Sequence, residues 1–300
     1  MCTKENIIHR KHKNKFMSNK KQKTSRQFYP FAVTVSGNDA SGSTGIAADL
    51  RTFNAFGVYG SSVTTAVICR TPAGKITRVD KLSAESVKTQ LDMVISSFSP
   101  SFIKCGMLPE PEMIDAVAET VEKRNLNLIC DPEFCSSCVS DSSVEYFCEK
   151  LLSRSAWITP DTLEAQKILK SNKEIRTEKD LFEAAKELFN RFGTSVLLKG
   201  GKLNLPESVD AVCRGGKLYR LTSPLAEMPP CAGVGAGNTL SAALTAGLIL
   251  DYPWKQALCE AKSFVLGSLT QNVELANGVF AMYPPTEDCY DLIKLEEKHL

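Results

Sequence analysis

The residues that could do chemistry in this 300-residue chain collect in a few short segments. The run Cys231-Ala-Gly-Val-Gly-Ala-Gly-Asn-Thr-Leu240 carries three glycines in five residues and leads into the small-residue segment Ser241 to Gly247. Glycines entering a helix leave backbone N–H groups uncovered at the positive end of the helix dipole, which suits a phosphate or a developing oxyanion. A second segment, Ser36-Gly-Asn-Asp-Ala-Ser-Gly-Ser-Thr-Gly-Ile46, sets small and hydroxyl residues around Asp39. Taken by itself it is a strand-to-helix turn with capping residues, able to let the backbone approach a ligand. Neither segment is G-x-G-x-x-G, and no Walker A sequence is present. The third group is Asp131-Pro132, Thr159-Pro-Asp161-x-x-Glu164 and Lys199-Gly-Gly201. Each alone is an ordinary cap or turn; together, on strand ends, they outline one acidic cleft suited to magnesium.

Composition removes competing chemistries. The three histidines are His9, His12 and His299, so the body of the chain has none for Ser-His-Asp or Cys-His catalysis, zinc sites of the HExxH type or haem ligation. Eleven cysteines lie scattered without regular spacing, which fits a reduced, cytoplasmic setting. The single CxxC, Cys135 to Cys138, lacks a second pair or a thioredoxin-like context and reads as incidental thiols. Residues 1–27 hold nine Lys/Arg against one acid, which leaves 27 basic and 33 acidic side chains in residues 28–300. A mildly acidic body argues against a nucleic-acid surface. The longest uncharged apolar run, Ala242 to Leu250, is far short of a membrane span.

These segments need a scaffold, and the pattern around them supplies one. Short β-branched runs at 31–36, 62–68, 102–104, 127–130, 156–159, 195–199, 209–213 and 217–221 alternate with helix-period segments at 45–56, 84–97, 110–124, 142–153, 161–170 and 178–192. A last helical pair is expected near 237–250 and 254–272. Alternation of this kind predicts one α/β domain over 28–300, a doubly wound, mostly parallel sheet with helices on both faces. Ligands of such sheets sit outside the carboxyl ends of the strands, where all three chemical segments fall.

In this order and spacing the chain resembles the ribokinase-like kinases, most closely the hydroxymethylpyrimidine/phosphomethylpyrimidine kinases of thiamine biosynthesis. The resemblance runs from Phe31 to Gly278. It is carried by Val35-Ser-Gly-Asn-Asp-Ala-Ser-Gly42, Gly45-Ile-Ala-Ala-Asp-Leu-Arg-Thr-Phe53, Lys104-Cys-Gly-Met-Leu108, Asp131-Pro, Ile158-Thr-Pro-Asp-Thr-Leu-Glu-Ala165, Leu198-Lys-Gly-Gly201, Gly235-Ala-Gly-Asn-Thr-Leu-Ser-Ala-Ala243 and Glu260-Ala-Lys-Ser263. It implies ATP and Mg2+ as cofactors and a small hydroxymethyl heterocycle as partner, with a homodimer open. The backbone of Gly235, Ala236 and Gly237 would form the anion hole for the γ-phosphoryl group, followed by Asn238 at the position of the proton acceptor. Asp161, Lys199, Gly201 and Lys262 would attend the nucleotide, Asp131 and Glu164 the metal, and Asp39, Ala47, Met107 and Glu133 the heterocycle.

The sequence departs from that pattern on the substrate side. Asn238 stands where the family has Asp or Cys, and a carboxamide orients a hydroxyl without useful basicity. Ala47 replaces a glutamine, Glu133 replaces an apolar residue, and Asp161 replaces an amide. Three readings follow: a hydroxymethylpyrimidine or pyridoxal-type kinase, slowed at Asn238; a kinase of the same fold for another small alcohol; or a catalytically inactive binding protein. Residues 1–27 read as a disordered basic tail, since they have no apolar periodicity. A chain beginning at Gln27 should therefore melt at the same temperature as the full chain in calorimetry. A drop of many degrees would dock the tail on the acidic body.

Overall fold

The first apolar run forms β1 (Phe31–Asp39), and helix α1 (Gly45–Ala55) crosses one face of the sheet to β2 (Tyr59–Arg70), which pairs parallel with β1. The structure is a computed structural model that describes residues 29–71, 73–134 and 139–299. The basic tail and the Cys135 to Cys138 pair lie outside the described residues. After β2 come β3 (Ile76–Lys81), α2 (Ala84–Phe98), β4 (Phe102–Cys105), α3 (Pro111–Arg124), β5 (Asn127–Cys130), α4 (Asp141–Leu151) and β6 (Trp157–Ile158). The chain continues through α5 (Thr162–Leu169), α6 (Glu178–Phe192), β7 (Ser195–Lys199), β8 (Ser208–Arg214), β9 (Lys217–Ser223), α7 (Ala236–Ile249) and α8 (Trp254–Thr270). It closes with the hairpin β10 (Val273–Ala276) and β11 (Val279–Ala281), then β12 (Lys294–Lys298).

Ten strands make one sheet in the order β12-β9-β8-β7-β6-β5-β4-β1-β2-β3. The six strands from β2 to β7 in that order run parallel, and β3, β8, β9 and β12 are antiparallel at the margins. The expected mostly parallel sheet is the one observed. Strands β3 and β12 and the hairpin β10–β11 were not anticipated. The two edge strands are charge-rich (Arg78, Asp80 and Lys81; Lys294, Glu296, Glu297 and Lys298) and bury little, so no apolar alternation marks them. Charges of this kind also keep an exposed edge from pairing with other chains.

Period-two alternation divides the core. Val33, Val35, Leu128, Cys130, Val196 and Leu198 pack against α2 to α6, whereas Ala32, Ile129, Trp157 and Leu197 face α1, α7 and α8. Helix α7 is buried on nearly every side, and its Gly247 lets Ala257 of α8 approach so closely that an added Cβ would lie 3.0 Å from the Ala257 Cβ. No helix among the described residues is long and apolar enough to cross a membrane. Successive crossovers leave β1 toward β2 on one side and reach β4 on the other, which opens a crevice at the carboxyl ends.

An ion pair under that crevice ties α1 to the sheet. Lys104 of β4 is fully buried and lies 3.0 Å from Asp49 of α1, which also accepts a hydrogen bond of 2.6 Å from Thr34 of β1. Burial pushes the Asp49 carboxyl up despite the Lys104 charge beside it. Breaking such a pair strands a charge in low dielectric, so Lys104→Met should cost about 3–5 kcal/mol and lower Tm by about 10 °C or more. The control is Lys88→Met, which removes an exposed partner of Asp92 and should leave Tm nearly unchanged in the same thermal melts. Equal small shifts would show that the buried pair contributes nothing.

Candidate active site

A cavity of about 580 Å³ opens at the carboxyl ends of β5, β6 and β7 and is closed from above by the turn before α7. Its wall includes Asp131, Glu133, Asp161, Glu164, Lys199, Gly201, Lys262 and all four residues from Gly235 to Asn238. Eleven of the fourteen residues singled out in the sequence thus meet in one cavity. Asp39, Ala47 and Met107 are not in its wall.

The glycine turn owes its shape to contact between two loops. Gly235 has φ of +94°, and an added Cβ would fall 1.9 Å from the Ser43 carbonyl oxygen in the turn before α1. Only glycine fits there. Helix α7 then starts without a side-chain cap, so its first-turn N–H groups keep no side-chain acceptor. A Cβ on Gly237 would point to within 3.2 Å of Lys199 Nζ, which marks the gap between the turn and that ammonium.

Asp131 fixes this gap. Its Oδ1 accepts from Lys199 Nζ at 2.7 Å and from Thr159 Oγ1 at 2.9 Å, and its Oδ2 accepts from Ser241 Oγ of α7 at 2.7 Å and faces Lys104 Nζ at 3.4 Å. Burial alone would raise this carboxyl, but the Lys199 and Lys104 ammoniums outweigh it and hold the group at about 2. The residue was expected beside the metal; both of its oxygens are instead committed to protein donors.

Asp161 and Glu164 form a capping box at the start of α5. Asp161 Oδ1 accepts from the Leu163 and Glu164 N–H groups, both at 2.9 Å, and Glu164 Oε2 accepts from the Asp161 N–H at 2.7 Å. The ordinary reading of that motif as a helix cap therefore holds, with both side chains still in the cavity wall. Burial pushes the Glu164 carboxyl up to about 8 against the pull of Lys199. Lys262 donates to Asp210 Oδ2 at 2.7 Å and to Ser208 Oγ at 2.8 Å, while Asp210 Oδ1 accepts the Gly200 N–H at 2.9 Å.

The two departures at 133 and 238 are one pair in space. Asn238 Nδ2 donates to Glu133 Oε1 at 2.5 Å. A Cβ on Gly106, just after β4, would lie 2.8 Å from the same oxygen, so that glycine makes room for the carboxyl. Burial raises Glu133 to about 7, although Lys104 and the Asn238 amide draw it down. Neither Glu133 nor Glu164 is ion-paired among the described residues, so the expected acidic cleft consists of paired carboxylates with these two exceptions.

The remaining expected substrate residues are not in this wall. Asp39 is buried and accepts from Ser41 N and Oγ, both at 2.9 Å, and from Thr44 Oγ1 at 2.8 Å, with Arg70 Nε at 3.3 Å. It organises the turn before α1 and reaches the cavity through Thr44 and Arg70, which line it. Met107 is buried against Gly37, where a Cβ would meet its Cε at 2.8 Å, and Ala47 is half-buried in the first turn of α1. Sequence reasoning gave no role to Asp49, Lys104, Asp210 or Ser241. For the first three a signal existed: each is a charge inside an otherwise apolar run.

A candidate metal position can be judged from the donors. No cluster of three His, Cys, Asp or Glu side chains exists among the described residues. Magnesium keeps much of its water shell and binds through one or two carboxylates together with phosphate oxygens, so a single carboxylate in the wall is donor enough. Glu164 is the carboxylate in the wall without a cationic partner on the side of Lys199.

Known proteins match this chain along most of its length. The model of the phosphomethylpyrimidine kinase family covers residues 39–283. A hydroxymethylpyrimidine/phosphomethylpyrimidine kinase of Escherichia coli (strain K12) is 33% identical over 255 residues, which cover 83% of this chain and 94% of that protein. A pyridoxine kinase of Bacillus subtilis (strain 168) is 31% identical over 254 residues, 81% of this chain and 92% of its own. Among solved structures, the pyridoxal kinase from Staphylococcus aureus in complex with AMP-PCP and pyridoxal superposes with a TM-score of 0.81 at 26% identity, covering 91% of this chain and 100% of that one. Since the family model spans residues 39–283 and a relative of 33% identity is matched over 94% of its length, the chain belongs to the phosphomethylpyrimidine kinase family, phosphotransferases of ribokinase-like fold.

Proposed function

We propose that this protein transfers the γ-phosphoryl group of Mg-ATP to the hydroxymethyl group of a pyrimidine, with hydroxymethylpyrimidine as the first substrate to test, and its monophosphate, whose acceptor is a phosphate oxygen, as the second. The observation that carries this reading is the uncapped glycine turn, Gly235 to Gly237, set across a narrow gap from Lys199 in one cavity. Phosphoryl transfer asks a protein mainly for positioning and neutralisation of charge. The backbone N–H groups of the turn and Lys199 supply both at one end of the cavity. Lys262, fixed by Asp210, and Gly201 serve the rest of the nucleotide, and Asp161 caps the helix that presents Glu164. Glu164 would hold magnesium, and bound Mg-ATP would supply the phosphoryl group. Of the side chains that the resemblance assigns to the heterocycle, Glu133 lines the cavity directly, Asp39 reaches it through Thr44 and Arg70, and Ala47 and Met107 are not in its wall.

A pyridoxal-type substrate is the second reading, because relatives named for pyridoxine and for hydroxymethylpyrimidine match this chain almost equally well. An inactive binding protein is the third, because Asn238 brings no basicity of its own. One coupled assay of ADP formation with hydroxymethylpyrimidine, its monophosphate and pyridoxal separates the first two from each other and from the third. Turnover of either pyrimidine supports the first, turnover of pyridoxal alone the second, and Mg-ATP binding without turnover leaves the third together with a kinase for another small alcohol.

The nucleotide end has its own tests. Gly237→Val fills the gap toward Lys199 and should lower Mg-ATP affinity at least about tenfold in calorimetry with little change in Tm. Glu164→Gln keeps an acceptor for the Asp161 N–H while removing the charge, and should weaken Mg-ATP binding more than binding of metal-free ATP. Unchanged affinities in both variants would move the nucleotide elsewhere.

A further inference from the structure

A hydroxyl attacking a phosphoryl group held at Gly235 to Gly237 must lose its proton, and Asn238 cannot take it. The carboxylates around that turn divide by their partners. Asp131 is closed in by Lys199, Lys104, Ser241 and Thr159, which leaves it a weak acceptor. Asp161 and Glu164 are engaged in the cap of α5, and Asp161 is also bonded to Lys202. Asp210 holds Lys262 and Gly200. Glu133 alone lies against the first turn of α7, in the cavity wall, with no ion pair among the described residues and with its Oε1 bonded to the Asn238 amide. Gly106 supplies the space for it.

We infer that Glu133 is the catalytic residue that takes the proton from the substrate hydroxyl, with the Asn238 amide as a positioning residue that aims its carboxylate; the inference rests on the kinase reading above. The alcohol oxygen forms a bond to the γ-phosphorus of ATP while the bond from that phosphorus to the β–γ bridging oxygen breaks. ADP leaves with the electron pair, and the hydroxyl proton passes to a Glu133 oxygen and from there to solvent. The acceptor has thus moved from the helix position at 238 to the loop after β5, directly beside its family place. Lys104 of β4, Asp131 of β5 and Asp49 of α1 are the charged groups whose fields reach this carboxyl.

The test compares Glu133→Gln, Glu133→Asp and the double variant Glu133→Gln with Asn238→Asp, using whichever alcohol, hydroxymethylpyrimidine or pyridoxal, the wild type turns over. Loss of the acceptor should lower kcat by about 10²-fold or more in E133Q. Affinities for Mg-ATP and for the alcohol, read by calorimetry, should stay within about threefold, since the amide preserves shape and hydrogen bonding. E133D should keep at least about tenfold more activity than E133Q, and the double variant, with a carboxylate returned to helix α7, should recover at least about tenfold. If E133Q fails to fold in thermal melts, E133D carries the decision, with kcat expected to fall while both affinities stay within about threefold. An active wild type with E133Q within about twofold of its kcat overturns the inference and leaves the kinase reading standing. So does an E133D as slow as E133Q with no recovery in the double variant. A wild type that binds Mg-ATP and phosphorylates neither hydroxymethylpyrimidine, its monophosphate nor pyridoxal overturns the reading as a pyrimidine or pyridoxal kinase, and this inference with it.

Discussion

The Asp131 carboxylate receives Lys199 from the end of β7, Thr159 from the end of β6, Ser241 from α7 and Lys104 from β4. Through Lys104 the same charge reaches Asp49 on α1 and Thr34 on β1. In a medium of low dielectric a buried carboxylate is tolerated only while its partners stay in place, so each partner is held by the penalty of losing it. The glycine turn and the Lys199 ammonium sit on two of those partners. Their separation is therefore set by the interior of the protein, which is what a reaction that depends on positioning requires.

The same cluster explains why carboxylates in one cavity behave differently. Asp131 has two ammoniums within 3.4 Å and stays ionised far below neutral pH. Glu133 and Glu164, set in the protein wall without such a neighbour, are raised by desolvation to about 7 and about 8. Lysines are concentrated where the phosphate would lie, and the two carboxylates with spare capacity flank that region, one beside the start of α7 and the other at the start of α5. Separation of paired from unpaired carboxylates lets a single cavity both hold an anion and retain a group able to accept a proton or attend a cation.

Two loops that are distant in sequence close the cavity by backbone contact. Gly235 meets the Ser43 carbonyl, and Gly45 has φ of +56° with room only for hydrogen against the Gly37 carbonyl, 2.2 Å from where a Cβ would be. These contacts give Asp39 its role as the anchor of the turn before α1, since four donors or cations converge on its carboxylate. A carboxylate at a strand end reads as a ligand contact in a linear sequence, and here its capacity is taken up by the loop that follows.

What the sequence by itself determined is what depends on near neighbours. The alternation of apolar residues along β1, β5 and β7 decides which side chains face each layer, and the glycine pattern at 233–237 decides that α7 begins with an open backbone. The capping box at Asp161 and Glu164 spans three residues and is legible in the same way. Charge-rich edges such as β3 and β12 escaped that logic, since a strand held by its neighbour on one side needs no apolar pattern of its own. Only the tertiary structure decided which charges pair. Lys104 and Asp49 are 55 residues apart, Lys199 and Asp131 are 68 apart, and Glu133 and Asn238 are 105 apart. No spacing rule connects them, because the sheet order that brings their strands together is a property of the whole packed core. For that reason the sequence showed an amide where a base was expected and a carboxylate where an apolar residue was expected, and only the fold set the two in contact.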